Sequence, residues 1–212
     1  MNDANSMMPG KKQLLLALLV LMLSACVTHL PMQQQQQIWQ QHSVRIGELL
    51  QWDVRGRIAL QMDDEAWQLN MRWQRLPEQQ QIDLSGPFGM GAVRMLIDTN
   101  GAQLRDASQM EYRADNAQEL LWQTTGWLLP LDNLSWWLRG LPVPGKQQQM
   151  KLDGQGRLGS LTQDGWQLTV LEYEEQQGML LPHLIELHNV NGDTHGKSMR
   201  LRLVISQWLD RG

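Results

Sequence analysis

An alternation of apolar and polar side chains over residues 52–75 constrains the fold of this chain more than any other feature. The first apolar series is Trp52, Val54, Ile58, Leu60 and Met62, with Gly56 in register. After Asp63-Asp64-Glu65 the same spacing resumes, at Trp67, Leu69, Met71 and Trp73. Successive side chains of a strand point to opposite faces of a sheet. The pattern therefore predicts an antiparallel hairpin with one apolar and one solvent-exposed face.

Shorter segments of the same kind follow along the chain. Further apolar positions on this face are Ile82, Leu84, Val93, Met95 and Ile97. Asn100-Gly101 is a favoured two-residue hairpin turn. The later strand-like segments are residues 150–152, 157–162, 166–172, 184–188 and 199–205. Short strands separated by turn signals predict a barrel or a strongly curved sheet.

Three segments show helical rather than strand periodicity. Residues 38–50 form an amphipathic pattern, and residues 115–127 begin at a capping Asp115 and end near Gly126. After Pro130, leucines recur at helical spacing beside Trp137, at positions Leu131, Leu134, Leu138 and Leu141. A helical pair between two groups of strands can cover an open end of a curved sheet. The predicted fold is therefore α+β and strand-dominated, with a helical lid.

The N-terminus has the features of a bacterial lipoprotein signal. Lys11 and Lys12 precede an apolar run over residues 14–23, which is shorter than the roughly 20 residues that span a bilayer. Leu23-Ser24-Ala25-Cys26 matches a lipobox, so we predict a signal peptide at 1–25 and lipidation of Cys26. Val27 replaces the Asp that retains lipoproteins at the inner membrane, which favours the outer membrane. We predict a lipidated Cys and flexible tether at 26–37, and one domain at 38–212.

Composition and motifs argue against several classes of function. A formal net charge of −4 without a basic run disfavours nucleic-acid binding. A single Cys excludes an internal disulfide and a cysteine-based zinc site, and we predict no metal and no cofactor. The sequence contains no HExxH, Walker A or GxSxG pattern, so a lipid hydrolase would lack a recognisable nucleophile. We therefore predict that the protein is not an enzyme.

Apolar residues are the remaining candidates for function. The chain contains ten Trp and thirteen Met, and Met adapts to irregular ligands. The apolar face of the strands either fills a barrel interior or lines a ligand cavity, and periodicity does not separate these two readings. The loop over residues 85–91 holds the only Phe, at position 88, among three Gly and a Pro. Phe88 either folds onto the sheet or forms an exposed apolar contact with lipid or a partner.

The sequence resembles the LolB family of outer-membrane lipoproteins along the whole mature chain from Cys26. Besides the lipobox, the resemblance rests on motifs in the order and spacing of the family: Val54-Arg55-Gly56-Arg57-Ile58-Ala59, Gly86-Pro87-Phe88-Gly89, Tyr112-Arg113-Ala114-Asp115-Asn116-Ala117, Pro130-Leu131 with Leu134, and Trp137-Leu138-Arg139-Gly140-Leu141-Pro142. The family has an unclosed β-barrel with a helical lid that encloses an apolar cavity for acyl chains. Its protruding loop carries an exposed Leu for membrane insertion, and this chain has Phe88 at that place.

The resemblance implies a receptor that accepts acylated lipoproteins from a periplasmic carrier of the LolA type and inserts them into the outer membrane. The receptor would face the periplasm as a monomer, held in the inner leaflet of the outer membrane by its own lipid. The implied membrane-insertion loop is Gly86, Pro87, Phe88 and Gly89. The candidates for lining the acyl cavity are Trp52, Ile58, Leu60, Trp67, Leu69, Met71, Trp73, Ile82, Leu84, Val93, Met95, Ile97, Leu134, Trp137 and Leu138.

Two other lipoprotein functions are compatible with an anchor and a curved sheet. A lipocalin-like lipoprotein would hold a small apolar ligand in a closed barrel. A structural lipoprotein of an outer-membrane assembly machine would have a filled core and bind its partner through an exposed sheet edge. A cavity in an unclosed sheet would favour the receptor over both.

Overall fold

One antiparallel sheet of eleven strands forms the framework of the protein. The computed structural model describes residues 30–190 and 197–210. The strands are β1 Trp52–Met62, β2 Glu65–Arg75, β3 Gln80–Ser85, β4 Val93–Asp98, β5 Gly101–Arg105, β6 Glu111–Ala114, β7 Gln148–Leu152, β8 Leu158–Gln163, β9 Trp166–Gln176, β10 Met179–Asn189 and β11 Met199–Asp210. Their order across the sheet is β6-β5-β4-β3-β2-β1-β11-β10-β9-β8-β7.

The first and last strands pair at the centre of the sheet. β1 runs antiparallel to β11 from Trp52 opposite Asp210 to Met62 opposite Met199, with a bulge at Arg55/Gly56. All other neighbours in the sheet are also neighbours in the chain, so the sheet is two meanders joined by the β1–β11 pair. In the strand order of the described residues, β6 and β7 are the two ends. The prediction of an unclosed antiparallel sheet is therefore confirmed.

In the described part of the chain, three α-helices accompany the sheet, and a short 3-10 helix, Pro87–Gly89, lies between β3 and β4. The α-helices are α1 Met32–Gly47, α2 Ala117–Thr125 and α3 Leu131–Trp137. Helices α2 and α3 lie in the connection between β6 and β7, so the predicted lid links the two edge strands. Within the described part of the chain, each helix is too short or too polar to cross a bilayer.

Helix α1 begins earlier than the sequence predicts. It starts at Met32, so residues 33–37, which we expected in a flexible tether, form its first turns. Gln is a good helix former, and hydrogen bonds within the segment and to the β7–β8 connection also hold it. The Leu30 amide donates to the Gly154 carbonyl at 3.3 Å, and the Gln35 side chain donates to the Leu30 carbonyl at 2.7 Å. The predicted signal peptide and Cys26 lie outside the described residues.

Two local predictions also need correction. The N-cap of α2 is Asn116 instead of Asp115, because the Asn116 side chain accepts a hydrogen bond from the Glu119 amide at 2.8 Å. The β4–β5 turn consists of residues 99–100, since Asp98 pairs with Gly101. The Asp98 carboxylate accepts from the Asn100 amide at 2.7 Å and stabilises that turn.

Candidate functional site

An apolar cavity of about 540 Å³ lies between the inner face of the sheet and the helical lid. The apolar sheet residues that line it are Ile58, Ala66, Trp67, Leu69, Met71, Trp73, Ile82, Leu84, Val93, Met95, Leu104, Leu201 and Leu203. The lid contributes Leu121, Trp127, Leu129, Leu131, Leu134 and Leu138. Gln68 and Thr125 are the polar residues of the lining. Such a surface can bind hydrocarbon and offers few specific hydrogen bonds.

An aromatic contact joins the lid to the sheet across this cavity. Trp127 follows α2, whose helical path ends at Gly126 in a left-handed conformation with φ of +72°. Its ring meets that of Trp67 on β2 edge to face, with 5.3 Å between centroids. Both indoles also line the cavity. The position of this part of the lid therefore depends on the same side chains that form the cavity wall.

A buried arginine fixes the end of the lid. Arg139 follows α3 and is 3% exposed. Its guanidinium donates to the Ser135 and Leu49 carbonyls, each at 3.1 Å, and lies 4.5 Å from the ring centre of Trp136. Burial lowers the pKa of Arg139 to about 10, with a smaller effect from the charge of Arg75. The side chain thus remains charged at neutral pH and ties α3 to the chain before β1.

The loop between β3 and β4 lies at an opening of the cavity. Its residues Gly86, Pro87, Met90 and Gly91 line the cavity, and Met90 is 65% exposed, so the cavity reaches the surface here. The Gly86 amide donates to the Met90 carbonyl at 2.8 Å, which closes the base of the loop.

Phe88 occupies the tip of this loop and is fully exposed. Its φ of +58° is a left-handed conformation that non-glycine residues rarely adopt. Of the two conformations considered from the sequence, the structure therefore has the exposed one. Leaving an aromatic of this size in water forgoes about 1.5–3 kcal/mol of burial free energy. An exposed aromatic on a strained backbone at a cavity opening indicates a contact made with something outside the chain.

Comparison with known proteins identifies the family. The family model described as outer membrane lipoprotein LolB matches residues 50–208. A Pseudomonas putida protein named outer-membrane lipoprotein LolB is 35% identical over 175 residues, which cover 82% of each chain. This chain belongs to the LolB family. A Pseudomonas aeruginosa protein of the same name is 34% identical over 175 residues, again 82% of each chain.

A solved structure shows that the fold extends beyond the LolB family. A LolA-superfamily protein from Nitrosomonas europaea superposes with a TM-score of 0.50, over 81% of this chain and 94% of that chain. The sequence identity is 11%, so this likeness concerns the fold alone. The family resemblance drawn from the sequence motifs of this LolB-family chain is confirmed, and so is its fold class.

Eleven of the fifteen predicted cavity residues line the cavity, and four do not: Trp52, Leu60, Ile97 and Trp137. Trp52 is instead buried between Trp73 and Trp208, at 5.6 Å from each ring. Trp137 points to β8, where its indole N–H donates to the Gln163 side chain at 3.0 Å. Leu60 is buried and Ile97 half-buried, both farther along their strands than the cavity extends. Trp52, Leu60 and Ile97 miss the cavity because the inner face of the sheet is longer than the cavity, whereas Trp137 misses it because its side chain faces β8 from the lid.

The sequence-based prediction of the cavity omitted several residues that line it in this LolB-family chain. Leu201 and Leu203 alternate along β11, and Leu131 belongs to the helical leucine pattern, so a periodic signal marked each of them. Trp127 and Leu129 lie in the irregular link between α2 and α3, where no period exists. Their contribution depends on how the lid folds back over the sheet.

Proposed function

We propose that the protein is a receptor that takes the acyl chains of lipoproteins into its cavity and releases them into the outer membrane. The LolB family to which it belongs consists of outer-membrane lipoproteins. The observation that carries the proposal is the continuity between the apolar cavity and the loop of Phe88. This continuity offers a path from a hydrocarbon-binding interior to a residue suited to entering lipid.

The energetics of acyl chains explain why such a cavity is required. Burying one CH₂ of a lipid chain is worth about 0.8 kcal/mol, so a chain of about sixteen carbons costs on the order of 10 kcal/mol in water. Unassisted escape into the periplasm is then negligibly slow. A cavity of 540 Å³ lies within the range of about 300–1,000 Å³ typical of sites for single small ligands. Its apolar lining supports hydrocarbon binding without a polar contact that would hold one head group.

The cargo would come from a periplasmic carrier of the LolA type. The likeness to a LolA-superfamily structure supports this, because a common fold lets donor and acceptor offer similar apolar interiors. Transfer without a nucleotide must run downhill, from the carrier cavity to this cavity and then to the bilayer. Cys26, once lipidated, would anchor the receptor in the inner leaflet of the outer membrane so that the domain faces the periplasm.

Exchange of Phe88 for Glu tests the release step. The charge should keep the loop out of lipid, so the Phe88→Glu variant should accept labelled lipoprotein from purified carrier and retain it. The matched control is Val44→Glu on α1, where the same charge replaces an apolar side chain that is 65% exposed. Release is measured as transfer of the label to outer-membrane vesicles. Normal transfer by Phe88→Glu would refute the role of the loop and leave cavity binding intact.

The alternative is a lipocalin-like lipoprotein that stores a small apolar ligand. The cavity agrees with both functions, but a storage barrel would be closed, whereas β6 and β7 end this sheet. Displacement of a fluorescent fatty acid tests the cavity itself. Transfer of lipoprotein from the purified carrier then separates the two functions, because a storage protein would bind the fatty acid and take no lipoprotein.

A further inference from the structure

The outer face of the sheet carries a row of arginines that the proposed function does not use. Arg55 of β1 lies opposite Arg72 of β2, and Arg72 lies opposite Asp83 of β3. The row continues through Arg94 of β4 to Arg105 of β5. With about 4.8 Å between neighbouring strands, it extends about 19 Å across the sheet. Like charges directly opposite each other destabilise a sheet, and the row contains two such pairs.

These arginines line an open groove of about 1,060 Å³, which we name the arginine groove. Its charged residues are Arg55, Arg57, Arg72, Arg94, Arg105, Asp83 and Asp106. Asp53 and Glu111 pair with Arg72 and Arg105 from beside the groove, so five positive charges meet four negative ones, a local excess of +1 in a chain whose formal net charge is −4. The groove is therefore slightly positive in a chain that is negative as a whole.

Two arginines of the groove are available to an external anion. Arg72 pairs with Asp53 at 2.7 Å, Arg94 with Asp83 at 2.6 Å and Arg105 with Glu111 at 2.5 Å. Within residues 30–190 and 197–210, Arg55 and Arg57 have no carboxylate at ion-pair distance, and both are exposed. The guanidinium group suits phosphate because its N–H donors match two phosphate oxygens at once.

The groove adjoins the loop that carries Phe88. Gly89 and Ala92 of this loop line the groove, and Arg57 and Pro87 share a neighbouring depression of about 350 Å³. Arg57 of β1 lies opposite Asn70 of β2, and Asn70 lies opposite Ser85 of β3, the last residue before the loop. Basic side chains beside an exposed aromatic are the combination found on surfaces that bind anionic membranes.

We propose that the arginine groove binds the phosphate groups of membrane lipids beside the inserted Phe88. The groove would hold the outer face of β1–β5 against the lipid head groups, so that the cavity opening at the loop faces the bilayer. The inference rests on the proposed function only in taking the loop as the part that enters lipid. Binding to phosphate is a separate property of the outer face and is measured without cargo.

Vesicle binding tests the groove. The mature chain from residue 26, which contains every described helix and strand, is made with Cys26→Ala so that no acyl anchor contributes. Arg55→Gln/Arg57→Gln is compared with Lys151→Gln/Arg200→Gln, which removes the same charge from exposed positions farther from the loop. Binding is measured by flotation with vesicles of phosphatidylcholine, with and without phosphatidylglycerol.

Loss of two arginines near an anionic surface should weaken binding to the phosphatidylglycerol vesicles about thirtyfold. The difference should shrink at high salt, and the control pair should bind as the parent does. Equal binding by both double variants would overturn the proposal.

If the groove variant then captured less lipoprotein from the carrier, the groove would contact an acidic protein surface instead. If the groove variant binds vesicles more weakly but accepts cargo as the parent does, the groove binds membrane. If the parent itself accepts no cargo, that result counts against the receptor function alone.

Discussion

The contact between Trp67 and Trp127 predicts how firmly the lid holds its ligand. The two rings join β2 to the link between α2 and α3, with 5.3 Å between centroids at an interplanar angle of 62°. Edge-to-face pairs contribute about 0.5–1.5 kcal/mol beyond the area they bury. A double-mutant cycle with Trp67→Leu and Trp127→Leu should therefore show a coupling of about 1 kcal/mol in the free energy of unfolding.

The same coupling should appear in ligand release. If the pair closes the lid, losing about 1 kcal/mol raises the open population about fivefold, and a bound fatty acid should dissociate about fivefold faster. The measurements are urea unfolding and stopped-flow release of a fluorescent fatty acid from the mature chain. Trp52→Leu and Trp208→Leu form the matched cycle, because these rings meet at 5.6 Å within the sheet and neither lines the cavity. That cycle should change stability and leave the release rate unaltered.

Two outcomes would refute this account of the lid. Additive effects of Trp67→Leu and Trp127→Leu on stability would mean that the ring contact does not hold the lid to the sheet. Coupling in stability with an unchanged release rate would mean that the ligand leaves by a route that does not require this contact to open.

Two further predictions concern the framework. Gly56→Ala should destabilise the protein by about 3 kcal/mol, because the new Cβ would lie 2.3 Å from the Val204 carbonyl oxygen at the β1–β11 bulge. The control Gly47→Ala, whose Cβ would have no atom within 4 Å, should not destabilise it. Urea unfolding measures both variants, and equal stabilities would contradict the clash. Burial, aided by the charges of Arg157 and Arg45, holds the pKa of His42 below its ordinary 6.5. The unfolded chain therefore takes up this proton more readily, so stability should fall as the pH drops below 6.5, and His42→Gln should flatten that slope; an unchanged slope would show that His42 is not responsible.

The sequence predicted the strands best where one face is buried and the other is wet. β1 and β2 match their predicted alternation because each position has a fixed side of the sheet. β9 and β10 are longer than predicted, since β9 continues through the polar residues 174–176 and β10 begins at Met179 with residues that do not alternate in polarity. Such an extension is held by main-chain hydrogen bonds, which side-chain periodicity does not report.

The cavity was harder to predict than the strands around it. Periodicity assigned an inner face, but a face of apolar side chains is the same in a filled core and around an empty space. Whether space remains depends on the height of the lid, which is determined by contacts such as Trp67 with Trp127 and Arg139 with Leu49. These partners are far apart in the chain, and no local signal relates them.

The path of the chain explains why an unclosed sheet suits a cavity that must fill and empty. The segment from β6 to β7 contains the lid, so the two strand edges are bridged by helices and not by a ladder of hydrogen bonds. A closed barrel fixes its interior through continuous pairing, and changing its volume would break main-chain hydrogen bonds. Here the lid can move by exchanging side-chain contacts, which cost far less individually. An engineered disulfide between the lid and β2 should therefore block exchange of ligand while leaving the sheet intact.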